Sequence, residues 1–147
     1  MELRTELHPN IEEQEEVFLA PLSFAQERLW LLDQLDPGDA AYNVPMQVRL
    51  RGRLDADALY RAFDEIVRRH EVLRTTLQFL DGTPMQVIHG AKPVARNIID
   101  LSVLPREQAV ATLNALRDRD GREPFDLATG PMLRTTLVQL APDEHAL

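Results

Sequence analysis

The sequence contains no cysteine. Disulfides, thiolate metal ligands and cysteine nucleophiles are thereby excluded together, which fits a chain that folds in a reducing compartment. Aromatic residues are few, with one tryptophan and two tyrosines among 147 residues, so the core has to be built mainly from aliphatic side chains. No run approaches the roughly eighteen apolar residues of a membrane-spanning helix, and the N-terminus is too acidic for a secretory signal or a transit peptide. We therefore expect a cytoplasmic protein with no membrane partner. Basic charge is also in short supply: 16 Lys and Arg stand against 24 Asp and Glu, a formal net charge of -8. No basic patch of the kind that neutralises a row of phosphates stands out, which argues against nucleic acid as a partner.

The acidity is unevenly placed. Residues 1–20 hold six glutamates against one arginine, a charge of about -5, and the rest of the chain is close to balance. Residues 1–20 read as an acidic leader or linker, either simply solvated or, in the sharper reading, a docking segment for another protein. Residues 21–147 read as the folded part. With 44% hydrophobic residues overall, the chain is long enough for one globular domain with its own core.

Regular structure is expected to begin at "PLSFAQERLWLLDQLDPG". Ser23 followed by Gln26 is a capping box, in which the serine oxygen accepts from the backbone N–H at Gln26 and the glutamine side chain reaches back. Phe24, Arg28, Leu31 or Leu32, and Leu35 recur at helical spacing, and Asp36 to Gly38 stops the helix. In "PMQVRLRGRL", Met46, Val48 and Leu50 alternate with polar residues, the signature of a strand with one wet face. A second helix from Asp55 to about His70 carries Leu59, Ala62, Phe63, Ile66 and Val67 on one stripe. Thr75 to Leu80 and Pro84 to His89 flank Asp81-Gly82, a hairpin signal because both central turn residues need positive φ. "VARNIIDL" reads as another strand. Pro105 opens a third helix from Arg106 to about Asp120, with Ala109, Val110, Leu113 and Leu116 facing inward. "PMLRTTLVQL" is a strand, Ala141 to Glu144 a turn, and His145 to Leu147 the first residues of a further strand paired to the one before it. This order describes a mixed-sheet α/β sandwich. The terminal strand is expected to lack a neighbour on its far side and, with one open face, to expose an apolar patch that favours self-association.

Chemical motifs are mostly missing. None of His8, His70, His89 and His145 has a second histidine at the spacing that directs two imidazoles onto one metal, so no metal site is expected. There is no serine elbow, phosphate-cradling loop or dinucleotide fingerprint. We therefore assign no catalytic residue, no metal ligand and no bound cofactor to the chain. His70 falls on or beside the apolar stripe at the end of its helix, where an imidazole serves the helix C-terminus as a structural group. Arg74 opens a strand within an apolar stretch; it forms either a weak surface ion pair or a fixed salt bridge to a functional loop.

Taken together, "SFAQERLW" (Ser23 to Trp30), "RHEVLRT" (Arg69 to Thr75) and "EPFDLATGPMLRTTL" (Glu123 to Leu137) resemble, in order and separation, the amino-terminal half of a condensation domain of non-ribosomal peptide synthetases. "YNVP", "LDADAL" and "DGTPMQVI" resemble that family's connecting segments. The resemblance implies one lobe of a two-lobed, chloramphenicol acetyltransferase-like fold. Between such lobes a tunnel admits phosphopantetheine arms from donor and acceptor peptidyl carrier proteins, with an adenylation domain adjacent. It implies amide formation between a carrier-bound acyl or peptidyl thioester and a carrier-bound aminoacyl acceptor, here of the type accepting an L-configured donor. The family's catalytic signature, HHxxxDG, does not occur in the chain and is expected to follow the strand begun at "EHAL", together with a carboxy-terminal lobe. By the same resemblance, Arg74, with Arg69 and His70, supports the active site as framework, Arg74 pairing with the signature's aspartate, and Ser23, Gln26 and Arg28 carry the first motif. The stretch alone is expected to be inactive. Two other readings remain open: a non-catalytic carrier-docking or scaffold module of the same fold, and a free-standing acyltransferase relative.

Overall fold

The structure is a computed structural model and describes residues 17–147. In chain order it contains β1 (Phe18–Pro21), α1 (Phe24–Leu35), β2 (Arg49–Arg51), α2 (Ala56–Arg69), a 3₁₀ turn (Glu71–Arg74), β3 (Thr75–Leu80), β4 (Thr83–Ile88), β5 (Asn97–Asp100), α3 (Arg106–Arg122), β6 (Thr136–Ala141) and β7 (Glu144–Ala146). The strands divide into an antiparallel sheet ordered β1-β4-β3 and a mixed sheet ordered β2-β7-β6-β5, in which only β5 and β6 run parallel. The expected mixed α/β architecture is present, carried on two small sheets. Most of the expected leader lies outside the described residues. Phe18 to Ala20, however, lie inside them and pair with Ile88, Val87 and Gln86 of β4, so they belong to the sheet and not to a leader.

Local signals place several elements. Asp81 at φ 48° and Gly82 at φ 83° make the tight turn between β3 and β4, with Leu80 opposite Thr83. Positive φ at both positions matches the right-handed twist of the flanking strands, which is why Asp-Gly serves there. The third helix runs from Arg106 with Pro105 at its N-cap. Its Ala109 and Leu113, one helical turn apart, are buried with Leu101, Val138, Leu140 and Ala146, and Leu116 and Ile99 pack against that cluster. Val138 and Leu140 share one face of β6 because strand side chains alternate, and this cluster is the core of the mixed sheet.

Three expectations are corrected by packing. The buried residues of α2 are Tyr60 and Val67, while Ile66 is exposed. The inward stripe is thus rotated by about one residue, because Tyr60 is wholly buried with its hydroxyl donating to the Asn97 carbonyl at 3.1 Å. The strand in "PMQVRLRGRL" is confined to Arg49–Arg51. Val48 already faces Leu147 through two 2.8 Å backbone bonds, and Met46 lies beyond that pairing, 82% exposed. The terminal strand β7 is not open on its far side: it lies between β2 and β6, with His145 opposite both Leu50 and Gln139. Large apolar residues are exposed in several segments, among them α1, which buries no residue; its Phe24 is 91% and Leu35 73% exposed.

Candidate functional site

The segment from Arg69 to Thr75 does not continue the helix into a strand directly. The helix ends at Arg69, His70 turns to an extended φ of -112°, and a 3₁₀ turn intervenes before β3. His70 therefore leaves the helical periodicity that would set it beside Val67. Its backbone N–H donates to Ile66 and its carbonyl accepts from Leu73, and the side chain is exposed, not on the core stripe. Arg69 lies on the outer surface of α2, where its Nε donates to Glu65 at 2.6 Å. Arg68 grips the same carboxylate through two bonds of 2.6 and 2.8 Å. Hydrogen bonds from Arg68 first and Arg69 second hold the Glu65 carboxyl at about 2, well below its ordinary value. This is a solvated i,i+3 and i,i+4 network.

Arg74 is different. It is the last residue of the 3₁₀ turn rather than the first of a strand, and its side chain is only 18% exposed. One terminal nitrogen donates to the His89 carbonyl, and the other meets the exposed Glu71 carboxylate at 3.3 Å. Its Nε is buried and has no hydrogen-bond partner among the described residues. Leaving such a donor unpaired in the interior costs about 1 to 3 kcal/mol, and the Nε edge of a guanidinium is one that a carboxylate engages with two parallel bonds. The arrangement offers a largely buried cation and no base or nucleophile of its own. Arg69 and His70 are not hydrogen-bonded to it, so the structure does not gather the three into one cluster.

The surroundings of Arg74 include residues that motif reading missed. The His89 backbone N–H donates to the Arg74 carbonyl at 3.1 Å, Thr76 Oγ1 meets His89 Nε2 at 2.8 Å, and Thr75 Oγ1 donates to the Glu71 carbonyl at 2.8 Å. Register was the available signal: counting outward from the Asp81-Gly82 turn sets Arg74 opposite His89.

The first motif serves as a joint. Ser23 and Gln26 form the expected reciprocal cap, and Gln26 Nε2 also donates to Gln86 Oε1 at 2.8 Å, while Gln86 Nε2 donates to the Pro21 carbonyl at 2.8 Å. Arg28 is exposed. The third motif covers an edge: Leu77 N–H on β3 donates to the Leu127 carbonyl at 2.7 Å. Asp126 holds that segment by accepting from Thr129 Oγ1 at 2.6 Å and Ala128 N–H at 2.8 Å, and the same bonds, Thr129's first, lower its pKa. Beside it an apolar groove of about 350 Å³ runs between α1 and residues 125–134, with Leu29, Leu32, Tyr42, Phe125 and Met132 in its lining. Among the described residues no group of three acidic or histidine side chains could hold a metal, and no helix is long and apolar enough to cross a membrane.

A family model described as Condensation domain matches residues 17–147. The chain belongs to the condensation-domain family. This condensation-domain chain is of the non-ribosomal peptide synthetase kind. It is 46% identical over 124 residues to a linear gramicidin synthase of Brevibacillus parabrevis, covering 84% of the chain and 2% of that protein. It is 43% identical over 127 residues to cyclosporin synthetase of Tolypocladium inflatum, covering 86% of the chain and 1% of that protein. Among solved structures it superposes on the starter condensation domain of rhizomide synthetase with TM-score 0.77 at 26% identity, covering 88% of the chain and 31% of the other. The first condensation domain of the calcium-dependent antibiotic synthetase gives TM-score 0.72 at 27% identity, with 88% and 31% covered. The condensation-domain chain thus spans under a third of these solved relatives and 1 to 2% of the two synthetases.

Proposed function

We propose that the residues from Phe18 on, which begin with strand β1, follow an acidic leader and form the framework part of the amino-terminal lobe of a condensation domain that joins two carrier-bound substrates. In this reading a donor acyl or peptidyl thioester, with an L-configured residue, is attacked by the amine of a downstream aminoacyl thioester. An amide forms and the donor carrier's thiol leaves. Phosphopantetheine arms of donor and acceptor carrier proteins bring both substrates, and an adenylation domain and a carboxy-terminal lobe adjoin this part in a cytoplasmic synthetase. The chain contains no HHxxxDG, so it contributes positioning and no catalytic histidine.

The observation that carries the reading is Arg74. Its guanidinium is held from one side by the His89 carbonyl and presents a buried, unpartnered Nε, which suits the carboxylate of an HHxxxDG signature. Holding two thioesters at near-attack distance is worth several kcal/mol of barrier, but only with both in place. The test is amide formation from loaded donor and acceptor carriers. Product is expected when the chain is extended through the signature and second lobe, and none above the uncatalysed rate from residues 1–147 alone. Product from the 147 residues alone, or none from the extended protein, overturns the proposal.

A further inference from the structure

We propose that His89 and Thr76 form a latch that positions the Arg74 guanidinium, His89 through its carbonyl and Thr76 by fixing the His89 ring. This deepens the reading of Arg74 given above and rests on it.

His89 is the residue after the last of β4, where a strand end frays unless something beyond the ladder holds it. The ladder proper closes with Thr75 opposite Ile88. Three further bonds carry the pairing one residue on. The His89 N–H donates to the Arg74 carbonyl, the Arg74 guanidinium donates to the His89 carbonyl, and the His89 ring bonds Thr76 across the hairpin at 2.8 Å. Thr76 and His89 are diagonal neighbours on one face, close enough for such a side-chain pair. A threonine hydroxyl donates to a bare ring nitrogen and accepts from a protonated one, so the bond holds in either tautomer.

Thr76 is itself immobilised. It is 4% exposed, and the turn at Gly130 closes over it: a β-carbon on Gly130 would stand 3.5 Å from Thr76 Cγ2. The other contact on the guanidinium, Glu71, is a 3.3 Å bond to a 60% exposed carboxylate and orients weakly. The direction of the unpartnered Nε is therefore set from the His89 side. Backbone pairing of β3 and β4 does not need the His89 ring, so the ring's bond is free to serve Arg74.

The test is hydrogen exchange of the Arg74 Nε–H, followed by ¹⁵N-resolved NMR on the 147-residue chain. In the wild type this proton is expected to exchange slowly. Thr76→Val, which keeps the branched shape and removes only the hydroxyl, and His89→Ala are each expected to speed it by about tenfold or more. The amides of Leu77 to Leu80 should stay as they were, and His89→Gln should recover part of the protection. Thr76→Val decides the matter even where His89→Ala does not fold. An Arg74 proton unchanged in Thr76→Val overturns the latch, as does loss of the whole β3–β4 ladder along with it, which would make the pair merely structural. Because the signal is read without carriers or product, a negative result falls on the latch and leaves the proposed reaction standing.

Discussion

Gln26 and Gln86 fasten α1 to the antiparallel sheet, the Gln26 side-chain Nε2 donating to the Gln86 side-chain Oε1 at 2.8 Å. The same Gln26 side chain accepts from the Ser23 backbone N–H at 2.8 Å through its oxygen. One amide thus caps a helix with one end and docks it with the other, and that matters because α1 buries none of its residues.

The two jobs separate by substitution. Gln26→Glu keeps the acceptor for the Ser23 N–H and loses the donor to Gln86, whereas Ser23→Ala removes the hydroxyl half of the cap and leaves the docking bond. Each should cost about 0.5 to 2 kcal/mol, and Gln26→Ala should cost more than either. Denaturant titration of the three variants checks this; a Gln26→Glu chain as stable as wild type would show the Gln86 bond to be idle.

Leu113 is 7% exposed within the cluster that joins α3 to the mixed sheet. Leu113→Ala deletes buried methyl groups from a tightly packed site and should cost about 2 to 5 kcal/mol. Leu116→Ala, at the partly buried margin of the cluster, should cost less. Melting temperatures of the two variants give the order, and the reverse order would misplace the core.

His70→Asn and Arg74→Ala should part company in an active, extended protein. His70 is exposed beyond the helix end, so its replacement should change stability by no more than about 0.5 kcal/mol and leave turnover intact. A general base in its place would be worth about 10² to 10⁴ in rate. Arg74→Ala removes the cation that faces the expected carboxylate, and breaking such a buried pair from one side typically costs about 3 to 5 kcal/mol. Turnover and melting temperature should fall together. A folded His70→Asn protein that has lost a hundredfold or so in rate would reverse the assignment.

Acid should weaken the chain at its surface pairs. Glu65 is held at about 2 against an ordinary 4.5 by Arg68 and Arg69, and Arg106 lowers Glu144 through two bonds of 2.7 and 2.9 Å. A carboxylate whose folded pKa is depressed contributes stability above its unfolded pKa and loses it as pH falls through the folded one. The loss attributable to Glu65 should therefore run from about pH 4.5 downward to about 2. Because these groups are solvated the loss should be small and should shrink further in salt. Carboxyl NMR titration checks it; a Glu65 midpoint near 4.5 would show the arginine grip to be transient.

The readable parts of this protein are those whose causes are local. The Ser23–Gln26 cap needs only four consecutive residues, and the Asp81-Gly82 turn only two with positive φ. The inward face of α3 follows from helical spacing, and the motif order resembles the condensation-domain family in the sequence alone. Even Arg74 opposite His89 follows from hairpin register. Side-chain partners across that register do not, because the Thr76 hydroxyl, the His89 ring and the Arg74 Nε depend on which rotamers neighbouring segments leave open.

Tertiary structure decided the rest, for reasons of reach. The strand at Phe18–Pro21 sits in an acidic stretch with little strand pattern and exists because β4 offers it an edge. The terminal strand β7 gains a second neighbour from β2, a segment more than ninety residues away in sequence. Tyr60 takes the core position expected for Leu59 because its hydroxyl finds the Asn97 carbonyl, and His70 leaves the core because a 3₁₀ turn interrupts the helix just where periodicity would have carried it inward. Sequence spacing determined the helices and the β3–β4 turn; long-range pairing and the filling of buried hydrogen bonds determined where the edge strands lie and which faces meet, since those contacts join residues the local pattern never sees together.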